Sequence, residues 1–250
     1  MDFMPALFFQ QQLVITKHSV QPFDANTILL FDAQQLNVDE FDLNALLSPF
    51  ELTVITRRKS YKAKQEYLAT RLLLKYLVKQ TMPQFRELAN NHISSEFDQQ
   101  SSKLLLHITD CDTVLRSCLS HSNGFVGAAL NVERIEFGFD IEKINLKRPF
   151  AKLAKHFYHL DEVNLITQDQ QSAERFFRIW TLKEALAKAT SQPIAKLLSP
   201  NVFTELERAN LTALSCQYHE FDISVVSDKS TDWQCSVVNS TAQLRGVLNF

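Results

Sequence analysis

Two groups of strand-like segments, each accompanied by at least one long helical segment, are spread over this 250-residue sequence. Apolar runs predict strands at 28–33, 52–55, 104–109, 125–132, 136–144, 221–226, 233–238 and 244–248. Helical periodicity predicts helices over 62–79, 149–167 and 172–190, and a polar connection fills 90–102. This order favours an α+β protein with two comparable halves that join near residue 135.

Charge and cysteine content limit the classes of function. With 26 Lys and Arg against 28 Asp and Glu, the net charge of −2 gives no global attraction to nucleic acid or membrane. The four cysteines show neither CxxC spacing nor matching histidine pairs, which predicts reduced thiols in a cytoplasmic protein. The apolar patch in MDFMPALFFQQQ has no preceding basic segment and is too short for a membrane span, so we expect no signal peptide and no membrane partner.

Glycine is scarce and unevenly placed. The chain has only four glycines, and Gly124, Gly127 and Gly138 all lie between residues 124 and 138. Because glycine permits tight turns and close approach of backbone to other groups, this part of the chain is expected to be conformationally special.

The segment EFGFDIEKI (136–144) carries two carboxylates on one face of a strand. Side chains alternate along a strand, so Phe137, Phe139 and Ile141 face one way while Asp140 and Glu142 face the other. Neighbouring carboxylates repel each other unless a cation lies between them or water screens them. The pattern therefore fits either the charged outer face of a half-exposed strand or a pair of metal ligands.

A third carboxylate, Glu184, lies on the apolar side of the helix predicted over 172–190. On a helical wheel it falls about 40° from Trp180 and shares that stripe with Phe176. An ionised carboxylate among apolar residues is costly unless something compensates it. With the two strand carboxylates, Glu184 supplies the oxygen ligands that Mg²⁺ prefers and leaves positions for a phosphate. Lys188, at i+4 from Glu184, also permits an ordinary surface ion pair.

The helix predicted over 62–79 carries a basic stripe. Lys64, Arg71 and Lys75 share one face, and TRRK (56–59) precedes the helix. Such a stripe is either a solvated helix surface or a site for phosphate, which Arg and Lys bind through charge and directed hydrogen bonds.

A polar turn, SHSNG (120–124), precedes the strand at 125–132. A His between two serines is compatible with hydrolase chemistry, but the absence of GxSxG disfavours a serine hydrolase. The turn either offers hydrogen-bond donors to phosphate oxygens or is an ordinary Ser/Asn/Gly turn. Neither a Walker A sequence nor GxGxxG is present, so the common nucleotide cradles are missing.

These segments occur in the order of the signature regions of the 4′-phosphopantetheinyl transferases, which the chain resembles. FGFDIEK (137–143) matches G-x-D-x-E, and FFRIWTLKEALAK (176–188) matches W-x-x-K-E-A-x-x-K. HFYHLDEV (156–163) resembles the F-x-x-x-E segment through Phe157 and Glu162, and KQEYLATRLLLKYLV (64–78) resembles the helix with cofactor-binding basic residues. The resemblance covers about residues 56–190 and is to the larger, two-halved type that serves carrier proteins of fatty-acid, polyketide and peptide synthases.

The resemblance implies two similar α/β subdomains related by pseudo-twofold symmetry. Each is expected to be a small, mostly antiparallel sheet packed with helices, with the active site in the cleft between them. Residues 1–134 form the expected N-terminal half, which binds coenzyme A phosphates. Residues 135–250 form the C-terminal half, which carries the magnesium-binding carboxylates and the catalytic lysine. A monomer is expected, because one chain supplies both sides of the cleft.

The resemblance also implies roles for individual residues. Asp140, Glu142 and Glu184 are expected to bind Mg²⁺, and Glu184 and Lys188 to be catalytic. The residues expected to contact the phosphates of coenzyme A are Arg58, Arg71, Lys75, Ser120, His121, Lys183 and Lys188.

The implied reaction moves the 4′-phosphopantetheine group of coenzyme A to a serine of an apo acyl or peptidyl carrier protein and releases 3′,5′-ADP. Two alternatives stay open: a non-catalytic relative that binds coenzyme A or a carrier protein, and another Mg²⁺-dependent enzyme that cleaves nucleotides. The three carboxylates together with Lys188 favour the transferase, because a binding protein does not need all of them. The sequence does not select the carrier.

Overall fold

The computed structural model describes residues 12–17, 26–112, 114–132, 135–168, 172–228 and 231–250. Its strands are β1 Ile15–Lys17, β2 Asn26–Asp32, β3 Ile93–Asp98, β4 Lys103–Ile108, β5 Val114–Ser122, β6 Phe125–Asn131, β7 Phe137–Lys143, β8 Leu211–Tyr218, β9 Phe221–Asp228 and β10 Gln234–Val238. Its helices are α1 Leu43–Leu46, α2 Pro49–Thr56, α3 Tyr61–Thr81, α4 Phe150–Phe157, α5 Leu160–Thr167, α6 Ser172–Thr190, α7 Val202–Arg208 and α8 Thr241–Leu248. Short 3-10 turns lie at Ala33–Gln35, Val38–Glu40, Pro83–Phe85, Asn90–His92 and Ile194–Lys196.

The larger of two compact units comprises residues 15–135 and 232–250. We call it the seven-stranded unit, since its sheet has the order β1-β10-β2-β6-β5-β4-β3. The pairs β1–β10 and β10–β2 are parallel, and the other pairs are antiparallel. Helix α3 packs on this sheet through buried residues such as Leu68 and Leu72. It begins after Ser60, whose hydroxyl accepts the N–H of Ala63 at 3.1 Å.

The smaller unit contains the described residues up to Val14 and those from Glu136 to Thr231. We call it the three-stranded unit, since its antiparallel sheet has the order β7-β9-β8. Helix α6 lies across β7 and β9 and also contacts α4, α5 and α7. It is therefore the central helix of this unit, with Phe176, Phe177 and Ile179 in the core.

The mixed α+β class is confirmed, and most of the predicted elements are found. The helix predicted over 172–190 has those bounds, and the helix predicted over 62–79 extends over Tyr61–Thr81. The helix predicted over 149–167 is instead two helices, because His159 caps α5 and interrupts the run. The polar connection at 90–102 contains strand β3.

Two predicted strands are wrong. Residues 52–55 lie in α2, because Ser48 and Glu51 form a capping box and Pro49 occupies the first turn. Residues 244–248 lie in α8, where a short apolar run belongs to one face of a helix. Short apolar runs do not distinguish a strand from a helix by themselves.

The end of the chain differs from the predicted division into 1–134 and 135–250. Residues 232–250 belong to the seven-stranded unit, because β10 lies between β1 and β2 and pairs with both. Among the described residues the two sheets also differ in size, with seven and three strands. The pseudo-twofold relation stays a prediction. No described helix combines the length and apolar character that a membrane crossing requires.

Candidate active site

The contact between β7 and α6 depends on the glycine at position 138. A Cβ added there would lie 1.9 Å from the carbonyl oxygen of Ala185 and 2.5 Å from the amide nitrogen of Ala189. Any larger residue would push the helix away from the strand, because both clashing atoms belong to its backbone. Gly138 thus brings Glu184 and Lys188 of α6 next to β7.

Lys188 and Asp140 form the closest charged contact of this site. The Lys188 ammonium donates a hydrogen bond of 2.8 Å to Asp140 Oδ1 and another of 3.0 Å to the carbonyl oxygen of Phe139. The Asp140 side chain is 9% exposed, so the pair is only partly screened by water. The lysine of the W-x-x-K-E-A-x-x-K segment therefore joins the aspartate of G-x-D-x-E.

Glu184 lies within the electrostatic influence of the same groups. Burial raises the pKa of Glu184 above its ordinary value, and the negative charge of Asp140 raises it further. The positive charge of Lys188 lowers this pKa, and the negative charge of Glu142 raises it. The structure thus brings together the three carboxylates and the lysine that the sequence singles out.

The donor chemistry of these carboxylates suits Mg²⁺. All three offer hard oxygen ligands, and a cation would relieve the repulsion that raises the pKa of Glu184. Among the residues that the structure describes, however, no three His, Cys, Asp or Glu side chains form a group arranged to hold a metal ion. Lys188 neutralises Asp140, and Arg148 Nη1 lies 3.6 Å from Glu142 Oε1. The carboxylates are neighbours without a preformed metal shell.

A fourth carboxylate, Asp222, lies beside this group and is not marked by the sequence. It pairs across the β7–β9 ladder with Glu142 and is 1% exposed. Arg178 Nε donates to both oxygens of Asp222 at 2.9 Å, and the Thr181 hydroxyl donates to Oδ1 at 2.8 Å. Arg178 and Thr181 belong to α6, so this network fixes the helix on the sheet. No local sequence spacing predicts this network, since Asp222 lies 44 residues from Arg178 and 41 residues from Thr181.

Lys183, which the resemblance predicts to contact coenzyme A, lies in the interior of the three-stranded unit. Its ammonium lies 2.9 Å from Glu162 Oε1, and both side chains are 0% exposed. It also donates to the carbonyl oxygens of Leu197 at 2.9 Å and Pro200 at 2.6 Å. Lys183 is therefore part of an internal ion pair that connects α6 with α5. Helix α6 is buried on most of its sides. A helical wheel with one apolar stripe therefore does not predict that Lys183 is buried.

A second group of predicted residues surrounds a cavity of about 240 Å³ in the seven-stranded unit. We call it the basic cavity, and the residues that line it are Arg58, Ala63, Glu66, Tyr67, Thr70, Arg71, Leu119 and His121. Arg58, Arg71 and His121 are three of the residues that the sequence predicts to contact phosphate.

Arg71, which lines this cavity, stacks on Tyr67 and has one buried donor without a partner among the described residues. Its guanidinium carbon lies 4.0 Å from the centre of the Tyr67 ring, and Nη1 donates to Thr70 Oγ1 at 3.1 Å. Its Nε is buried and has no hydrogen-bond partner within the described part of the chain. The guanidinium of Arg71 thus adds positive charge to the wall of the basic cavity.

The SHSNG segment forms the end of β5 and a two-residue turn. Ser122 pairs with Phe125, and the two residues between them, Asn123 and Gly124, have φ angles of 52° and 90°. Asn-Gly is the sequence that favours such a turn between antiparallel strands. The turn places His121 at the rim of the basic cavity, 57% exposed, where it lines the wall.

Lys75 and Ser120 do not line the basic cavity. The ammonium of Lys75 lies 2.7 Å from Glu51 Oε2 and donates to the carbonyl oxygen of Ile93, and the side chain is 1% exposed. The structure thus places Lys75 in the interior, because this part of α3 faces the core rather than solvent. Ser120 precedes His121 on β5 and so faces the opposite side of the sheet, where it is buried.

Residues 145–160 form an exposed segment next to the carboxylates. This segment contains four Lys or Arg residues and no Asp or Glu. Leu146 and Leu160 are 71% and 69% exposed. Arg148 joins this segment to the site, because its guanidinium lies 3.6 Å from Glu142 and 5.8 Å from the ring centre of Trp180. We call residues 145–160 the basic surface.

Comparison with known proteins points to one family. Residues 136–238 match the sequence profile of the 4′-phosphopantetheinyl transferase superfamily. The 4′-phosphopantetheinyl transferase HetI of Nostoc sp. is 37% identical to the chain over 105 residues. The aligned region covers 41% of this chain and 44% of HetI. The match confirms the resemblance that the sequence motifs indicate.

Two further relatives carry the same description in provisional form. A Haemophilus influenzae protein is 31% identical over 93 residues, 36% of this chain and 39% of its own length. The Synechocystis protein slr0495 is 28% identical over 156 residues, 60% of this chain and 59% of its own length. The chain thus spans 39% to 59% of the length of the curated relatives that it matches.

Proposed function

We propose that this chain, whose residues 136–238 match the 4′-phosphopantetheinyl transferase superfamily, transfers 4′-phosphopantetheine from coenzyme A to a carrier-protein serine. The acceptor is an apo acyl or peptidyl carrier protein, and the second product is 3′,5′-ADP. The principal support is the convergence of Asp140, Glu142, Glu184 and Lys188 at the contact of β7 with α6. All four lie inside the region that matches the superfamily.

The phosphates of coenzyme A meet two groups of side chains in this proposal. Asp140, Glu142 and Glu184 hold Mg²⁺, which when bound neutralises charge on the transferring phosphate. The basic cavity takes a further phosphate, to which Arg71 and His121 in its lining present positive charge and hydrogen-bond donors. Arg58 adds positive charge, with its guanidinium carbon 5.4 Å from the centre of the Tyr67 ring.

The chemistry is a phosphoryl transfer. The serine oxygen attacks the β-phosphorus of coenzyme A, and a new P–O bond forms while the bond to the bridging oxygen breaks. That oxygen leaves with its electron pair on 3′,5′-ADP. Glu184, at the contact of α6 with β7, accepts the serine proton. The Lys188 ammonium, beside Asp140, stabilises the charge that develops on the leaving phosphate.

The carrier protein docks on the basic surface in this proposal. The segment combines positive charge with the exposed side chains of Leu146 and Leu160 and lies next to Glu142 through Arg148. Such a surface fits an acidic partner that contributes apolar residues, because charge directs the encounter and apolar contact holds it.

Intact-mass measurement of carrier proteins tests the proposed function. The chain is incubated with coenzyme A, Mg²⁺ and a panel of apo acyl and peptidyl carrier proteins. We expect at least one carrier to gain one phosphopantetheine unit, with equimolar release of 3′,5′-ADP. No gain on any carrier, together with calorimetric binding of coenzyme A that is independent of Mg²⁺, favours the binding protein. Hydrolysis of nucleotides without a carrier favours the nucleotide-cleaving enzyme.

A further inference from the structure

The basic cavity contains a carboxylate that the proposed function leaves unexplained. Glu66 is part of its lining, and the side chain is 12% exposed. A negative charge in a cavity for a phosphate weakens binding of that phosphate by repulsion. Its presence therefore calls for a role other than direct contact with the anion.

Both oxygens of Glu66 are turned towards the SHSNG segment. Oε1 accepts the backbone N–H of Gly124 at 2.9 Å, and Oε2 lies 3.4 Å from Nδ1 of His121. Lys62, one helical turn earlier, lies 3.9 Å from Oε1. One side chain on α3 thus connects the helix with the turn and with the imidazole at the rim of the cavity.

The turn that Glu66 anchors depends on Gly124 and is also held by a backbone hydrogen bond. Gly124 has a φ of 90°, which other residues rarely adopt, and a Cβ there would lie 2.9 Å from Nε2 of Gln34. The carbonyl oxygen of Gly124 accepts the N–H of Ala33 at 2.9 Å. Glu66 therefore completes a set of contacts that determines where His121 is held.

We infer that Glu66 is a positioning residue, which holds His121 and the Asn123–Gly124 turn so that the imidazole meets a phosphate of coenzyme A in the basic cavity. With Nδ1 facing Glu66, Nε2 is the imidazole nitrogen that faces the ligand. The carboxylate neutralises no part of the ligand and acts only through His121 and the turn. This inference rests on the proposed function, because it takes a phosphate of coenzyme A as the ligand.

Two probes that differ by one phosphate test this role. Coenzyme A and dephospho-coenzyme A differ only in the 3′-phosphate, so their ratio of dissociation constants measures how well the protein binds that group. Calorimetry needs no carrier protein, so this measurement is independent of transfer. We expect the wild-type chain to bind coenzyme A more tightly than dephospho-coenzyme A.

Substitution of Glu66 is expected to reduce that preference selectively. In Glu66→Ala, binding of coenzyme A weakens about tenfold, as is typical for loss of a group that orients a ligand-binding side chain. Binding of dephospho-coenzyme A is expected to stay within about twofold, since only the phosphate contact is affected. In transfer assays the same variant raises the KM for coenzyme A and leaves kcat within about twofold. Glu66→Gln keeps an acceptor for the Gly124 N–H and is expected to recover part of the preference.

A matched control and the contrary results complete the test. Glu40→Gln removes a surface carboxylate of the same unit and is expected to leave both affinities unchanged. The inference is overturned if folded Glu66→Ala keeps the wild-type preference, or if it lowers kcat and the melting temperature without changing the preference. If Glu66→Ala does not fold, Glu66→Gln decides, and a wild-type preference in it overturns the role of the carboxylate. A wild-type chain that binds neither probe contradicts the proposed function itself.

Discussion

At the scale of single residues, charge alone does not distinguish a binding side chain from a structural one. Lys75 and Lys183 both lie in segments that resemble family motifs, yet each forms an ion pair in the interior. Their partners, Glu51 and Glu162, lie on other helices, and no sequence spacing indicates the pairing. Lys188 belongs to the same helix as Lys183, but it is partly exposed and contacts a candidate metal ligand.

Removal of Lys183 is therefore expected to affect stability more than ligand binding. In Lys183→Ala, Glu162 is left buried without its cation, and the free energy of unfolding is expected to fall by about 3–5 kcal/mol. Urea denaturation measures this change. The double variant Lys183→Met/Glu162→Leu removes both charges and is expected to recover much of the loss. A fully stable Lys183→Ala with a raised KM for coenzyme A would support a direct contact instead.

At the scale of elements, the position of α6 decides the geometry of the candidate site. Gly138 on β7 allows the helix to approach the strand closely. Hydrogen bonds from Arg178 and Thr181 to Asp222 on β9 hold the helix on the sheet. The sequence predicts the bounds of α6 and the glycine of β7, because both follow from local pattern. It does not predict Asp222, whose partners come from a distant part of the chain.

Gly138→Ala is expected to separate α6 from β7. The added carbon would overlap the backbone of Ala185 at 1.9 Å, which no side-chain movement relieves. We expect a loss of stability of several kcal/mol, on the scale of overpacked cores, with loss of transfer activity. Thermal denaturation and the mass assay measure the two effects.

Gly246→Ala is the matched control for that substitution. Gly246 lies in α8, and a Cβ there meets no atom within 4 Å. Alanine in a helix interior is expected to stabilise the chain by about 0.5–1 kcal/mol. Equal changes in stability for Gly138→Ala and Gly246→Ala would contradict the close contact of α6 with β7 at Gly138.

The pair of Arg178 and Asp222 is expected to show energetic coupling. Asp222 is almost completely buried and accepts hydrogen bonds from Arg178 and Thr181 of α6, so either single substitution leaves a charged partner unsatisfied. A double-mutant cycle of Arg178→Ala and Asp222→Ala, followed by urea denaturation, is expected to give a coupling energy of about 1–3 kcal/mol. Additive losses would show that the two residues stabilise the unit independently.

At the scale of the whole molecule, the sequence predicts two consecutive halves, whereas the observed units are not consecutive in sequence. Strand β10 pairs with β2, more than 200 residues earlier, and so carries the last residues into the seven-stranded unit. Pairing over such distances depends on tertiary packing, which local periodicity does not report. The sequence does predict most members of the two groups of candidate residues, because motifs combine residue type and spacing within short segments, but it also includes Lys75, Ser120 and Lys183, which lie elsewhere.

Charge reversal on the basic surface is expected to impair recognition of the carrier protein. In Lys152→Glu/Lys155→Glu, we expect the KM for an acidic carrier to rise about tenfold or more, because electrostatic attraction is replaced by repulsion. The KM for coenzyme A and kcat are expected to stay within about twofold, and the difference from wild type is expected to shrink at high salt. Arg208→Glu, on the exposed side of α7, is the control. Equal carrier KM values for all three proteins would remove the basic surface from the interface.

The central claim is that Asp140 and Glu184 act together in transfer of phosphopantetheine. The most direct measurement is the intact mass of an apo carrier protein after incubation with coenzyme A, Mg²⁺ and wild-type, Asp140→Asn or Glu184→Gln chain. We expect the wild-type chain to add one phosphopantetheine unit. We expect both variants to add none in the same time, because each replaces a carboxylate with an uncharged amide of similar shape. Circular dichroism checks that both variants are folded. Transfer by either variant at the wild-type rate would contradict the account.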